Sequence, residues 1–238
     1  VKSVNMAIDE INEAGGVLGR KLAVVVEDDG GDADTLVKRG QAKLAAEGKP
    51  THAVLCHRLD TGTSGLVIIA KTPEAEELFL SAIKNREVQK TYLCVTFGRP
   101  VPPDATLGGY LLKDADRGIV KIVEDKQPGA KEVETRYETI AVSGRLALLK
   151  VQLITGRTHQ IRVHFASIGH PLAGDDLYGG RRDRIGRQAL HCAEQTFRVP
   201  EYTEVPDGIC IRTPVSAGTG RTVTVESPLP QDMADLLS

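Results

Sequence analysis

The sequence predicts an α+β protein built on a mixed, mainly antiparallel sheet that is flanked by helices and loops. Three observations favour this class: strand-like segments are many, helical segments are few, and turn residues separate one strand-like segment from the next. Of the 238 residues, 41% are hydrophobic, which is enough apolar material to close a core. No internal repeat is visible.

The first fifty residues predict two helices around one strand. Residues 4–14 place apolar side chains on one helical face, and a pair of glycines ends that helix. Residues 22–26 form a short apolar run that is typical of a buried strand. An acidic, glycine-rich loop follows at 27–34, and a second amphipathic helix is expected at 35–47, capped by Asp34.

From residue 50 onward the pattern changes to strand-like segments with turns between them. Strands are expected at 66–70, 91–98, 107–112, 119–123, 132–142, 146–154 and 188–197. Helices are expected at 73–86, at 159–168 and near 232–237, and a proline opens the first of these. Residues 200–221 are rich in Gly, Pro and Thr, which predicts a loop excursion.

Composition and charge limit the function classes. The four cysteines lie far apart without a CxxC pair, so neither a zinc site nor a disulfide framework is indicated, and we expect reduced thiols in a cytoplasmic protein. Because the net charge is only −2, any surface for nucleic acid has to be a local one. No secretion signal is visible, and no apolar run approaches the roughly 18 residues of a spanning helix.

The first segment with candidate chemistry is HRLDTGTSGL, residues 57–66, which joins a charged cluster to a glycine-bearing loop and then to an apolar run. This order places Asp60 at a sheet edge, where catalytic side chains commonly lie. A surface loop in which Arg58 and Asp60 form a weak ion pair is the alternative that this segment alone leaves open.

The second segment is TGRTHQIRVH, residues 155–164, which is dense in basic and hydrogen-bonding groups. Continued as a helix, it brings Thr158, Arg162 and Phe165 near one face, from which Arg162 could reach a buried carboxylate. A solvated basic helix is the alternative. Four arginines then follow a turn-rich stretch and suit either phosphate binding or a solvated loop: Arg181, Arg182, Arg184 and Arg187.

Together these segments resemble the RluA-type RNA pseudouridine synthases. HRLDTGTSGLVIIAKT is similar to one signature of that family, and LITGRTHQIRVHFASIGHPLAGDDLYG is similar to a later one. Lys90-Thr91-Tyr92 matches the intermediate Lys-x-Tyr motif, and the three occur in family order. The resemblance covers the chain from about residue 34 to its end. It implies a pseudouridine synthase-like fold and the isomerisation of uridine to pseudouridine in transfer or ribosomal RNA.

The resemblance also implies roles for single residues. The reaction detaches uracil from ribose, turns it over and rejoins it through carbon 5, so neither a cofactor nor a metal is expected. Asp60 would be the essential carboxylate, as nucleophile or as base at the sugar, and Arg162 would pair with it and keep it charged. Arg58 would fill the gap that the flipped nucleotide leaves. Tyr92 would stack on the uracil, with a packed core tyrosine as the alternative.

The remaining candidates have lesser expected roles. His57 is expected among the RNA-binding residues, where it would shape its loop rather than act as an acid or base. Arg157, Gln160 and His164 are expected to contact RNA or to support Arg162. Cys56 is interpreted as strand packing rather than as a thiol nucleophile. The target RNA, the modified uridine and the oligomeric state cannot be predicted from the sequence.

The beginning of the chain departs from this family. Relatives carry a Lys-Pro element after their first strand, whereas acidic residues stand near its place here and would repel phosphates. Residues 6–32 instead resemble the start of a periplasmic solute-binding protein of the amino-acid type. The hypothesis is a chimera, with a foreign segment at 1–32, a synthase catalytic domain at 33–238 and a junction between 21 and 35. A folded but weakly active or inactive chimera is the alternative to an active enzyme.

Overall fold

The computed structural model describes residues 52–70, 73–114, 118–200 and 220–238, and also the pairs 37–38, 41–42 and 45–46. Those pairs are helical, in agreement with the helix predicted at 35–47. The helix predicted at 4–14, the strand at 22–26 and the acidic loop at 27–34 lie outside the described residues. The same holds for residues 201–219, which make up most of the predicted loop excursion.

The described part of the chain is rich in strands. The strands are β1 (Val54–Leu55), β2 (Ser64–Gly65), β3 (Ile69–Ala70), β4 (Gln89–Phe97), β5 (Asp104–Asp114), β6 (Ile119–Val123), β7 (Lys131–Ser143), β8 (Leu146–Leu153), β9 (Leu190–Pro200) and β10 (Gly220–Glu226). The helices are α1 (Pro73–Lys84), α2 (Gln160–Ser167) and α3 (Gln231–Ala234), with a 3-10 helix at Asp176–Tyr178. None of these helices is long and apolar enough to cross a membrane.

The strands form one large sheet and one small pair. In the large sheet the order is β10-β9-β4-β8-β7-β5-β6, and each pair of neighbours in that order is antiparallel. Strand β2 pairs with β9 in parallel, and β1 pairs with β3 in antiparallel fashion. The predicted mixed, mainly antiparallel sheet of an α+β fold is therefore confirmed.

Strand β7 shows how the sheet separates core from solvent. Its buried positions include Val133, Thr135 and Tyr137, which alternate with exposed neighbours, as one face of a strand requires. Tyr137 packs edge-on against Phe165 of α2, with ring centroids 5.4 Å apart. Phe79 of α1 and Phe165 of α2 belong to the same core cluster. Helix α2, whose sequence carries the predicted Arg162, is therefore anchored on the sheet by its aromatic side chain.

The predicted strand at 66–70 is wrong in its extent, because residues 64–65 and 69–70 form two separate strands with different partners. Gly65 has a φ of +117°, and a Cβ atom there would lie 2.3 Å from the carbonyl oxygen of Cys192. Only glycine fits such a backbone at so close an approach. The predicted strand is therefore interrupted after Gly65, where β2 pairs with β9.

Strand β10 is a second difference, because residues 220–221 were assigned to the loop excursion and the rest of the strand was not predicted. Its sequence alternates Thr and Val, and Val223 and Val225 point into the core. This alternation is an ordinary strand signal that the analysis missed.

Candidate active site

A cleft of about 1300 Å³ opens where the loop at 57–63, strand β4, the segment 152–162 and the 3-10 helix meet. The structure brings the predicted site residues together around this cleft, with the exception of His164. They are His57, Arg58, Asp60, Tyr92, Arg157, Gln160 and Arg162. Three segments that are far apart in sequence therefore meet at one place.

Asp60 lies in a tight turn that begins the loop's approach to the sheet. The backbone N–H of Thr63 donates to the Asp60 carbonyl oxygen at 2.8 Å, which closes the turn. The Asp60 side chain is 23% exposed, and its Oδ2 lies 3.8 Å from Nη1 of Arg162. The carboxylate is thus open to the cleft on one side and faces a cation on the other.

The loop at 57–65 is held by side chains of the segment that leads into β9. Gln188 is buried, and its Nε2 donates to the Thr61 carbonyl oxygen at 2.6 Å and to Thr63 Oγ1 at 3.1 Å. Arg187 donates to the Gly62 carbonyl oxygen at 3.3 Å. These bonds flank Asp60 on its C-terminal side and fix the backbone that presents its carboxylate.

Arg162 faces Asp60, as expected, but it has a second and closer partner in Asp175. Its Nε and Nη2 donate to the two Asp175 carboxylate oxygens at 2.7 and 2.8 Å. The distance from Nη1 to Asp60 is longer, at 3.8 Å. Burial alone lowers the pKa of Arg162, but the hydrogen bonds and charge of Asp175 outweigh it and raise the pKa. Asp175 thus fixes the guanidinium so that its remaining nitrogen faces Asp60.

Two more residues complete this arrangement, and the sequence analysis assigned a role to neither. The Arg162 guanidinium lies over the Tyr178 ring, 5.1 Å from its centroid. The Tyr178 hydroxyl lies 2.9 Å from Nδ1 of His159, which also lines the cleft. Asp175, Tyr178 and His159 all occur within the quoted family signature, but only the folded chain shows their partners.

Tyr92 is a buried tyrosine in the lining of the cleft. Burial raises its pKa well above the ordinary value, and the nearby Cys192 and Asp60 act in the same direction. Its hydroxyl is therefore protonated at neutral pH. Lys90, two residues earlier on β4, also lines the cleft, and burial lowers its pKa.

His57 ties its loop to neighbouring strands. Its Nε2 accepts hydrogen bonds from the backbone N–H of Ile68 and from Gln195 Nε2, both at 3.2 Å. Burial, reinforced by the charge of Lys90, lowers the pKa of His57 to about 3, so the imidazole is neutral. These contacts agree with the loop-shaping role expected of His57. Arg58, by contrast, is exposed at the cleft.

Gln160 and His164 hold α2 onto β7 from inside the protein. Gln160 donates from Nε2 to the Glu134 carbonyl oxygen at 3.0 Å and to Thr135 Oγ1 at 2.9 Å. His164 is buried with Nδ1 at 2.8 Å from Thr135 Oγ1, and burial lowers its pKa to about 4. A residue so buried offers no surface to RNA, so the structure places His164 in support of the helix. Arg157 is exposed beside the cleft.

The described cysteines belong to the core. Cys56, Cys94 and Cys192 are buried free thiols, and Cys210 lies outside the described residues. Burial raises the pKa of Cys56, which makes it a poor nucleophile and agrees with the packing interpretation. Among the described residues, no group of three or more His, Cys, Asp or Glu side chains is placed to hold a metal ion.

The cleft thus holds the Asp60 carboxylate beside the guanidinium of Arg162, on a mainly antiparallel sheet. The family model described as RNA pseudouridylate synthase matches residues 21–167, more than half of the chain. The chain therefore belongs to the RNA pseudouridylate synthase family. Residues 21–32, which the chimera hypothesis assigned to a foreign segment, lie inside this match, so the comparison gives that hypothesis no support there.

Curated relatives agree with the family. The chain is 36% identical over 183 residues to the uncharacterized RNA pseudouridine synthase YjbO of Bacillus subtilis, covering 77% of this chain and 58% of that protein. It is 34% identical over 197 residues to the ribosomal large subunit pseudouridine synthase D of Nitrosomonas europaea, covering 78% and 50%. The chain thus spans between 50% and 58% of the length of these two relatives.

Solved structures share the fold. Human RNA pseudouridylate synthase domain containing 1 matches with a TM-score of 0.64 and 26% identity, over 90% of this chain and 89% of that one. Human RNA pseudouridylate synthase domain containing 4 matches with the same TM-score of 0.64 over 98% and 94%, at 19% identity. The second likeness concerns the fold alone.

Proposed function

We propose that the protein is an RNA pseudouridine synthase that isomerises uridine in transfer or ribosomal RNA, with Asp60 as its essential carboxylate. The observation that carries this proposal is the position of Asp60 in the cleft, with one nitrogen of a fixed guanidinium 3.8 Å away. Nucleophilic attack on the sugar and removal of a sugar proton both need an ionised carboxylate. The Arg162 guanidinium places an opposite charge beside that carboxylate.

The cleft suits a nucleotide that has left its stack. Enzymes that do chemistry on a base must extract it, because its reactive atoms are covered inside the helix. The volume of about 1300 Å³ exceeds the roughly 300–1,000 Å³ of ordinary small-molecule sites, so a flipped nucleotide fits with part of its strand. Arg58, Arg157 and Arg182 are exposed along the cleft and supply cations for phosphates.

Tyr92 and Arg58 fit the two tasks that base extraction creates. A buried, protonated tyrosine in the lining of the cleft offers an aromatic ring on which a uracil ring can stack. An exposed arginine two residues before Asp60 can enter the space that the base vacates, and its planar cation stacks there better than lysine would.

The test is tritium release from transfer and ribosomal RNA that carries tritium at carbon 5 of uridine. Rejoining the base through carbon 5 expels that atom, so we expect release by the parent. Asp60→Asn removes the charge without changing the shape of the side chain, and release should fall by at least about 10³-fold. Asp125→Asn, the same change at an exposed turn, is the control and should match the parent.

Absence of release from a cooperatively folded parent would contradict the proposal. It would favour the alternative of a folded but weakly active or inactive protein. Equal release by the parent and Asp60→Asn would instead contradict the role of Asp60.

The hypothesis of a foreign beginning stays a separate prediction, because residues 1–32 lie outside the described residues. Finding this coding sequence intact in related genomes would contradict an engineered chimera. A calorimetric titration with branched-chain amino acids would show whether the segment retains any solute binding, and we expect no heat of binding.

A further inference from the structure

His159 enters the cleft from a backbone conformation that side chains seldom adopt. Its φ is 55° and its ψ is 17°, in the left-handed region, at the position immediately before α2. This region costs free energy for residues other than glycine and persists only where surrounding contacts enforce it. Such strained residues cluster at functional sites.

One hydroxyl group orients the His159 ring. The Tyr178 hydroxyl lies 2.9 Å from His159 Nδ1, and the two rings meet edge to face with centroids 5.6 Å apart. The same hydroxyl accepts a hydrogen bond from the backbone N–H of Val120 at 3.1 Å. The hydroxyl oxygen thus already accepts one proton from the backbone, and its own proton can be donated to Nδ1.

This pattern favours one tautomer of the ring. With Nδ1 accepting, the proton of the neutral imidazole lies on Nε2, at the ring edge away from Tyr178. His159 lines the same cleft as Asp60. The ring therefore provides the cleft with an N–H donor whose direction is set in advance.

The charges around His159 leave the ring neutral. Burial lowers its pKa, and Arg162 and Arg58 act in the same direction, whereas Asp60 and Asp175 act against them without reversing the shift. A neutral donor in the same cleft as the Asp60 carboxylate suits an uncharged base better than a phosphate, for which arginines are already present.

Building on the proposed function, we propose that His159 is a further catalytic residue, whose Nε2–H donates a hydrogen bond to a carbonyl oxygen of the flipped uracil. When the bond between N1 and C1′ breaks, its electron pair stays with the uracil. Asp60 either bonds to C1′ or removes a sugar proton. In both cases the base leaves as an anion whose charge spreads onto its carbonyl oxygens.

A fixed donor aimed at an oxygen where charge develops stabilises the transition state more than the ground state. The charge disappears again when carbon 5 of the uracil uses an electron pair to bond C1′. In the same step the bond between Asp60 and C1′ breaks with its electron pair returning to the carboxylate, or, in the other route, the proton held by Asp60 returns to the sugar. The proton on carbon 5 is then lost and N1 gains one, so the step needs no oxidant or reductant. His159 acts only through its hydrogen bond and keeps its proton.

The test uses His159→Gly, because glycine accepts the left-handed backbone without strain while the ring is deleted. We expect kcat for tritium release to fall about 10²- to 10³-fold, as when other oxyanion donors are removed, with KM for the RNA changed less than about threefold. Free imidazole should restore part of the kcat of His159→Gly and leave the parent unaffected. Neutral 1-methylimidazole has no N–H group and should restore nothing.

Each outcome separates the inference from its alternatives. An unchanged kcat in His159→Gly, or equal rescue by both imidazoles, would overturn the donor role. If the parent releases no tritium, the proposed function fails and this inference fails with it. If His159→Gly does not unfold cooperatively, Tyr178→Phe replaces it, since it keeps the ring beneath Arg162 and deletes only the orienting hydroxyl. We then expect kcat to fall about tenfold, and an unchanged kcat would overturn the inference.

Discussion

Arginine–aspartate pairs occur in two neighbouring parts of this molecule and differ sharply in their surroundings. The Arg162 side chain is 7% exposed and meets an Asp175 carboxylate with no exposure. The pair between Arg182 and Asp176 is 54% and 58% exposed, although its distance of 2.9 Å is similar. Distance alone therefore does not distinguish a buried pair that fixes a guanidinium from a surface pair whose arginine can exchange its partner for a phosphate.

The largest effect should come from breaking the buried pair. Asp175→Ala leaves the Arg162 cation buried without its partner, so we expect the free energy of unfolding to fall by about 3–5 kcal/mol. Asp176→Ala is the matched control, because it removes the adjacent aspartate from the exposed pair and should cost less than about 1 kcal/mol. Urea denaturation measures both. Equal losses would mean that burial does not explain the difference between the two pairs.

His164 extends the comparison to a buried group that has no carboxylate partner among the described residues. It lies on α2, the helix that also carries Arg162. Its pKa is lowered from 6.5 to about 4, so the unfolded chain takes up its proton first as the pH falls. Its contribution is therefore fully present above pH 6.5 and is lost between pH 6.5 and 4, at about 1.4 kcal/mol per pH unit. In denaturation at a series of pH values, His164→Gln should show a shallower loss in that window and an unchanged slope above it. An identical pH dependence of the two proteins would contradict this account.

Gln188 is an uncharged example of a buried polar group that positions the site. Gln188→Glu replaces the donor to the Thr61 carbonyl oxygen with a carboxylate oxygen, 2.6 Å from another acceptor. We expect unfolding to become easier by about 1–3 kcal/mol and kcat to fall more than KM changes, because the Asp60 loop shifts. Gln127→Glu, the same substitution at an exposed position, is the control. If the kcat of Gln188→Glu equals that of the parent, the hydrogen bonds of Gln188 do not position Asp60.

The smallest effect on stability belongs to the exposed pair itself. Arg182→Gln should change the free energy of unfolding by less than about 0.5 kcal/mol. If the arginine contacts a phosphate, the same change should weaken RNA binding and reduce the slope of log affinity against log salt by about one. RNA titrations at several salt concentrations measure this slope. An unchanged slope would place Arg182 outside the RNA contact.

Much of the fold was predictable because its signals are local. The alternation of β7 and the apolar pattern at 119–123 predicted strands that the structure confirms, and the helix predicted at 159–168 is found at Gln160–Ser167. The split of the strand predicted at 66–70 was not predictable, because it depends on the close approach of Gly65 to Cys192. No pattern around residue 65 identifies a partner so distant in sequence.

The candidate site, like the fold, could be predicted only in part. Seven of the predicted site residues line the cleft, but their hydrogen-bond partners were not predicted, and neither was the place of His159 in the lining. Arg162 was expected beside Asp60, whereas the folded chain gives it a closer carboxylate in Asp175. Gln188 was predicted as the first residue of a strand, although its side chain holds the Asp60 loop. Hydrogen-bond partners depend on side-chain geometry that appears only when the elements pack.

The hydrogen bonds that hold the Asp60 loop also determine when the cleft can form during synthesis of the chain. Gln188 and Gln195 bond to residues that precede them by 125 to 138 positions. A ribosome delivers the chain in order, so a growing polypeptide carries Asp60 long before it carries the residues that hold its loop. The nascent chain therefore cannot fix the position of Asp60 until Gln188 and Gln195 have been synthesised.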